Sequence, residues 1–127
     1  MATEIIQSNN APAPGGHYVQ AIKHDNVMYI SGQLSFPPEG PDFVPQDFNE
    51  QACQAFENVK AILKESGLDF SHLLQLRAYI VGIENWPAFD QVCARYMQDN
   101  KSARAVVPVP HLHYGCLVEL EAIARVM

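Results

Sequence analysis

The stretch that decides the fold is Arg104-Ala-Val-Val-Pro-Val-Pro-His-Leu-His-Tyr-Gly-Cys-Leu-Val-Glu-Leu-Glu-Ala-Ile-Ala. A β-branched run begins it and an alternating run ends it, which predicts two strands joined by a Pro/His/Gly loop. Side chains alternate along a strand, so Glu119 and Glu121 share one face. Carboxylates on a largely buried strand need a partner, and Arg104, on the strand that leads into this unit, is the obvious candidate. The residues alone slightly favour a structural ion pair over an anion-binding arginine beside a proton-handling carboxylate.

The composition limits the classes of function. A chain of 127 residues predicts one domain spanning 1–127. The net charge is −6, and the eight Lys and Arg residues are spread thinly. Nucleic-acid binders usually concentrate positive charge on one face, so an RNA-directed role is disfavoured.

The cysteines and the apolar runs indicate the compartment. Cys53, Cys93 and Cys116 are odd in number and far apart, which is typical of free thiols in a reducing environment. The N-terminus lacks the basic-then-apolar pattern of a signal peptide, and no apolar run has membrane-spanning length. We therefore expect a cytoplasmic protein with no membrane partner.

Periodicity in the rest of the chain predicts four further strands and two helices. The strands are predicted at 4–6, 18–23, 27–31 and 73–81. The first helix is predicted to run from Phe48 to a point before Gly67, and the second to start at Asn85 and to be closed by residues 99–102. This order predicts an α+β sandwich with a mixed sheet of about six strands and both helices on one face. The other face would still carry apolar side chains, so we expect a homo-oligomer packed sheet to sheet.

Single-residue candidates for chemistry are weak. His111 and His113 would share a strand face, but they lie in a Pro/Gly-rich loop without a completing ligand, so a metal site is disfavoured. Cys116 borders an apolar strand and is expected to be inert. Glu119 and Glu121 could share a proton or simply be solvated, and the sequence does not choose between these.

The combination of short motifs is more specific than any one of them. In order along the chain come Asn10-Ala-Pro, Gly16-His17-Tyr18-Val-Gln, Ser31-Gly32-Gln33, Glu57-Asn58-Val-Lys-Ala-Ile-Leu, Ala103-Arg104 and Val118-Glu119-Leu-Glu121-Ala-Ile-Ala. Together they resemble the reactive intermediate deaminase family (Rid, YjgF-type, also described as endoribonuclease L-PSP-like). The resemblance covers nearly the whole chain.

The resemblance implies a fold and an activity. The family folds like bacterial chorismate mutase and assembles as a homotrimer, with ligand clefts between subunits. Its deaminating members hydrolyse enamines and imines, such as 2-aminoacrylate, to 2-keto acids and ammonia without a cofactor or metal. The implied partners are therefore a small imino or keto acid with a carboxylate, and further copies of the chain.

The resemblance also assigns roles to residues. Arg104 would bind the substrate carboxylate, and Glu119 would orient or activate water. The backbone at Gly32 would help to hold the ligand, while Tyr18 would line the cleft. Ser31 and Val106 are also assigned to substrate binding, and Glu121 becomes a structural or interface carboxylate.

Three departures from the family pattern indicate a divergent subgroup that keeps the arginine. His17 replaces a common proline, Asp90 replaces a common asparagine, and Val106 replaces a cysteine found in many bacterial members. Two alternatives to a deaminase remain: a non-catalytic trimer that binds metabolites and, less favoured because of the acidic charge, an endoribonuclease.

Overall fold

The computed structural model describes residues 3–126, which form one six-stranded sheet and two α-helices. The elements are β1 (Thr3–Ile6), β2 (Ala21–His24), β3 (Val27–Leu34), α1 (Phe48–Lys64), β4 (Leu73–Val81), α2 (Trp86–Met97), β5 (Ala103–Val109) and β6 (Val118–Arg125). The sheet order is β1-β2-β3-β6-β4-β5, in which only β4 and β5 run parallel. The predicted α+β fold with a mixed sheet is confirmed. Within residues 3–126, neither helix is long and apolar enough to cross a membrane.

Strand β6 is the last in sequence but lies at the centre of the sheet, between β3 and β4. Its apolar positions Val118, Leu120, Ala122 and Ala124 are buried against the helix layer. The alternate positions, which include Glu119 and Glu121, point to the other face. The alternation predicted from the sequence therefore holds over the whole strand.

The helices form where the apolar stripes predict them. Asp47 caps α1, because its side chain accepts a hydrogen bond from the Glu50 backbone N–H at 3.2 Å. Helix α2 starts at Trp86, after a short 3₁₀ turn over Ile83–Asn85, with Pro87 in its first turn. Both helices cover the same face of the sheet.

The opposite face of the sheet is open in the single chain. It carries large apolar side chains that are at least one-third exposed: Ile5, Ile22, Tyr29, Leu74 and Val107. Their positions follow from the strand registers, which align Ile5 with Ile22 and Ile22 with Tyr29. A small domain rarely leaves so much apolar sheet in water. The exposed apolar face therefore supports the prediction of an oligomer.

The predicted strand 18–23 is wrong at its start, because β2 begins only at Ala21. The Tyr18 backbone N–H donates to the Gly16 carbonyl at 3.0 Å, which makes a tight turn. The buried Gln20 side chain accepts from the Ser8 N–H at 2.7 Å and donates to the Pro12 carbonyl at 2.8 Å. Gln20 thereby ties the N-terminal loop to the sheet, and Tyr18 lies on a loop.

A buried amide connects α1 to the end of β3. Asn58 is fully buried, and its Nδ2 donates to the carbonyls of Leu34 at 3.0 Å and Phe36 at 2.8 Å. A buried carbonyl without a donor costs about 1–3 kcal/mol, so Asn58 fixes the path of the chain after β3. Leu34 and Phe36 both line cavities at this end of the sheet.

Candidate active site

Four of the predicted site residues line one open cleft of about 420 Å³. They are Tyr18, Ser31, Gly32 and Glu119. The rest of the lining comes from Gly15, Gly16, Leu34, His113 and Tyr114. Strands β3 and β6 form the floor, and the loops that precede β2 and β6 form the sides. The cleft opens on the face of the sheet that the helices leave uncovered.

Gly32 lies in a β-bulge directly beneath Glu119. The β3–β6 register slips between Ile30 and Gln33, so β3 carries one extra residue there. A Cβ added at Gly32 would lie 2.5 Å from Glu119 Oε2 and 3.1 Å from Glu119 Cδ. A side chain at position 32 would therefore have to displace the Glu119 carboxylate from its present position.

The environment of Glu119 favours its neutral form. Burial is the main cause that raises its pKa above the ordinary value, and the negative charge of Glu121 raises it further. His113 acts in the opposite direction and lowers the pKa of Glu119. A carboxylate with a raised pKa is a better proton acceptor when ionised and a ready proton donor when protonated.

Glu121 is engaged by a tyrosine of the neighbouring strand. The hydroxyl of Tyr79, on the neighbouring strand β4, donates to Glu121 Oε1. This hydrogen bond is the main cause that raises the pKa of Tyr79. The two groups form a cross-strand pair next to the cleft.

The other cleft residues are held by local hydrogen bonds. The Ser31 hydroxyl donates to the Val19 carbonyl at 2.7 Å, and its backbone N–H donates to the Gln20 carbonyl at 2.9 Å. The Tyr18 hydroxyl accepts from the Gly15 N–H at 3.2 Å, and the side chain is half exposed. The loop carrying Tyr18 is therefore positioned by the strand that carries Ser31.

Arg104 lies away from this cleft in the single chain. Its Nη1 donates to Asp90 Oδ1 at 2.7 Å, and its guanidinium carbon lies 5.7 Å from the centre of the Trp86 ring. Partial burial lowers the pKa of Arg104, but its hydrogen bonds to Asp90 and Cys93 outweigh burial and raise it. The arginine lines a separate cavity of about 370 Å³. The expectation that Arg104 pairs with Glu119 or Glu121 is wrong within one chain.

The strand registers explain this separation. Arg104 is aligned with Leu76, and Leu76 with the buried Ala122, so the arginine is on the helix-covered face of the sheet. Glu119 is on the other face. Strand β4 lies between their two strands, which puts their backbones about 10 Å apart across the sheet alone. Val106 is on the same face as Arg104 and packs partly buried against the core.

No metal centre is formed by the residues that the structure describes. Among positions 3–126, no three His, Cys, Asp or Glu side chains are grouped to hold an ion. His111 is exposed, while His113 turns into the Glu119 cleft. The three cysteines are free thiols, of which Cys93 and Cys116 are buried.

Comparison with known protein families identifies the chain. The model of the family described as Endoribonuclease L-PSP matches residues 8–126. The chain belongs to this family, which is also known as the Rid or YjgF family. The motifs that line the Glu119 cleft lie within the matched residues.

Relatives of this Rid family member include named enzymes and solved structures. The 2-iminobutanoate/2-iminopropanoate deaminase of Capra hircus is 38% identical over 124 residues, covering 98% of this chain and 90% of the relative. RidA from the Antarctic bacterium Psychrobacter sp. PAMC 21119 superposes with a TM-score of 0.90 at 35% identity, covering 96% and 98% of the two chains. E. coli TdcF, solved with bound serine, superposes with a TM-score of 0.91 at 28% identity, covering 96% and 98%.

Sequence reasoning missed the partner of Arg104 and five residues of the cleft lining, among them His113 and Tyr114. Asp90 was recognised only as a departure from the family pattern, yet it holds the guanidinium. Its position one turn after Trp86 on the same helix is a signal that both could meet one arginine. His113 and Tyr114 lie in a loop, and no periodicity indicates which way loop side chains turn.

Proposed function

We propose that the protein is a cofactor-independent hydrolytic deaminase of 2-imino acids and their enamine tautomers. Its products would be 2-keto acids and ammonia. The proposal is carried by one observation: Glu119, with a raised pKa, lies against the bulge at Gly32 in an open cleft. Relatives of 35–38% identity named as 2-iminobutanoate/2-iminopropanoate deaminases support it.

The reaction requires little of the protein beyond orientation and one proton acceptor. As water attacks the imine carbon, the ionised Glu119 accepts a proton from it, and the C=N bond becomes a single bond. Glu119 passes this proton to the nitrogen, which gives a carbinolamine. It then accepts the hydroxyl proton and transfers it to the same nitrogen, so that the carbon–nitrogen bond breaks, ammonia leaves and the carbonyl forms. A positioned carboxylate typically contributes about 10²–10⁴-fold to such a step. The residues Tyr18, Ser31 and Gly32 would hold the substrate against Glu119.

Arg104 would bind the substrate carboxylate from a second protomer. Its planar guanidinium suits bidentate carboxylate binding, and Asp90 engages only its Nη1 in a direct hydrogen bond. Within one chain Arg104 and Glu119 are on opposite faces of the sheet, so a cleft that contains both needs a neighbouring copy. We therefore place the active sites between the subunits of a homotrimer, with Val106 beside Arg104 in the cleft wall.

A coupled assay tests this function. An amino acid oxidase generates 2-imino acids from several amino acids, and the purified protein should speed their disappearance. Glu119→Gln and Arg104→Ala should each reduce that effect at least about 100-fold. The controls Glu65→Gln, just after α1, and Arg95→Ala, on α2, change the same residue types at exposed positions and should keep full activity. Full activity in Arg104→Ala would refute the proposed role of the arginine.

A thermal-shift measurement, combined with the coupled assay, separates a deaminase from a protein that only binds metabolites. The relative solved with bound serine is the observation that favours this second candidate. A binding protein would be stabilised against heat by pyruvate or 2-ketobutyrate, because a ligand that binds only the folded state raises the melting temperature. Such a shift without any turnover of imino acids would favour the binding role.

A further inference from the structure

A second cavity adjoins the Glu119 cleft. It encloses about 230 Å³ where the N-terminal loop meets the proline-rich loop that follows β3. The two cavities share five lining residues: Gly15, Tyr18, Gly32, Leu34 and Tyr114. A molecule bound in the Glu119 cleft can therefore extend past the rings of Tyr18 and Tyr114 into the second cavity, which we call the side pocket.

The lining of the side pocket is mostly apolar. Its described lining includes no charged residue, and much of it consists of Pro12, Pro38, Pro41 and the ring of Phe36. Its two glutamines use their polar groups elsewhere. The Gln20 side chain is bonded to the backbone of the N-terminal loop, and Gln33 Nε2 donates to the Ser31 carbonyl at 3.1 Å. The side pocket therefore offers little to a polar or charged group.

The walls of the side pocket are held in place before any ligand binds. The rings of Phe36 and Tyr114 pack edge to face, with centroids 5.5 Å apart. The backbone of Phe36 is fixed by the buried Asn58 at 2.8 Å. Tyr114 keeps a left-handed backbone with φ 62°, which a residue with a side chain adopts only when its surroundings require it. These contacts keep the cavity open.

The volume of the side pocket sets the size of its ligand. An apolar cavity of about 150 Å³ is large enough to bind benzene. The side pocket exceeds that volume, so it accepts a branched aliphatic group or an aromatic ring. A methyl group, as in an imine derived from alanine, would leave most of the side pocket unfilled.

We propose that the preferred substrates are 2-imino acids with a branched aliphatic or aromatic side chain, which lies in the side pocket while Glu119 faces the imine carbon. The chemistry in this proposal rests on the deaminase function proposed above, whereas the binding preference does not. One methylene more or less in an apolar pocket changes selectivity by about tenfold or more. Several buried carbons therefore give a clear preference over small substrates.

Calorimetric titration with stable 2-oxo acids tests the preference without relying on turnover. The probes are pyruvate, 4-methyl-2-oxopentanoate and phenylpyruvate. We expect the two larger acids to bind at least about tenfold more tightly than pyruvate. Pyruvate binding as tightly as both larger acids would overturn the proposal.

Two variants test whether the side pocket is the origin of the preference for larger oxo acids. Ala13 is exposed on the pocket wall, and Ala13→Phe fills the space, so the affinity ratio of phenylpyruvate to pyruvate should fall close to one. Gln46→Phe adds the same ring at an exposed position outside both cavities and should keep the wild-type ratio. An unchanged ratio in Ala13→Phe would overturn the proposal. If Ala13→Phe fails to fold, the affinities of the wild-type protein for the three oxo acids test the proposal.

The imino acid assay distinguishes failure of this inference from failure of the proposed function. Hydrolysis of imines derived from alanine, leucine and phenylalanine with equal kcat/KM would leave the deaminase function standing and refute the side-chain preference. Tight binding of the larger oxo acids without hydrolysis of any imine would support the side pocket and refute the deaminase function.

Discussion

Arg104 and Glu119 lie on opposite faces of the same sheet, with strand β4 between their strands. An active site that uses both must therefore take them from different protomers. In a cyclic trimer, each site would receive Arg104 from one subunit and Glu119 from the next.

Subunit mixing tests this arrangement. Arg104→Ala and Glu119→Gln should each be inactive, but unfolding and refolding them together in equal amounts should restore about a quarter of the wild-type activity. This fraction follows because random mixing gives a site with both wild-type residues one time in four. Refolding each variant separately is the control. No recovery in mixed trimers would mean that both residues act within one chain.

The contact between Gly32 and Glu119 predicts a second effect. In Gly32→Ala the new methyl group would displace the Glu119 carboxylate, since the two would lie 2.5 Å apart. A displacement near 1 Å can cost about 100-fold in rate, and we expect a loss of kcat of this size. The melting temperature should change little, because the Glu119 side chain is only half buried and can move.

A double mutant separates this mechanism from a general disturbance of β3. Adding Gly32→Ala to Glu119→Gln should cost no further activity, because the displaced group is already non-functional. Losses that multiply in the double mutant would mean that Gly32 acts through the backbone or the substrate and not through Glu119.

The parts of the fold that depend on local pattern could be predicted from the sequence. The alternation of β6, the apolar stripe of α1 and the two-residue turn at Asp25 and Asn26 each follow from side-chain period and turn chemistry. The start of β2 could not be predicted, because the Gln20 side chain bonds to a distant loop. Apolar spacing carries no information about such a hydrogen bond.

The composition of the candidate site was predictable, but its layout was not. Family-like motifs named Tyr18, Ser31, Gly32 and Glu119, which the fold brings to one cleft. The position of Arg104 depends on the insertion of β6 between β3 and β4, a long-range pairing that fixes which face each residue occupies. Their positions on successive strands suggest an ion pair between Arg104 and Glu119, whereas the structure pairs Arg104 with Asp90.

Asp90 supplies a competing carboxylate beside Arg104. Asp90→Asn would retain an oxygen that accepts from Nη1 but would remove a negative charge near the proposed carboxylate site. We expect KM to fall roughly threefold with kcat unchanged, a modest effect because Asp90 is 46% exposed and solvent screens it. The expected direction is set by repulsion between like charges.

A matched charge change controls for the effect of net charge. Asp99→Asn removes one negative charge at an exposed position that follows α2, and it should leave KM unchanged. A rise in KM in Asp90→Asn would show that the ionised Asp90 is needed to orient Arg104, which is the opposite of competition.

The raised pKa of Glu119 predicts how stability and activity vary with pH. Between its ordinary value of 4.5 and its higher folded-state value, the folded protein binds more protons at Glu119 than the unfolded chain does. The free energy of unfolding therefore falls as pH rises through this window, because Glu119 becomes ionised in a partly buried site. Above the window the loss is complete and no longer changes with pH. Glu119→Gln should melt at a higher temperature than wild type near pH 7 and at a similar temperature below pH 4.5.

Activity should follow the same ionisation in the opposite sense, because only the ionised Glu119 accepts a proton from water. The acid limb of kcat/KM, which reports the free enzyme, should have its midpoint above 4.5 and should disappear in Glu119→Gln. His113→Gln removes a group that lowers the pKa of Glu119, so the midpoint should move to higher pH. A lower melting temperature for Glu119→Gln at pH 7 would mean that the ionised Glu119 stabilises the fold, which would contradict its raised pKa.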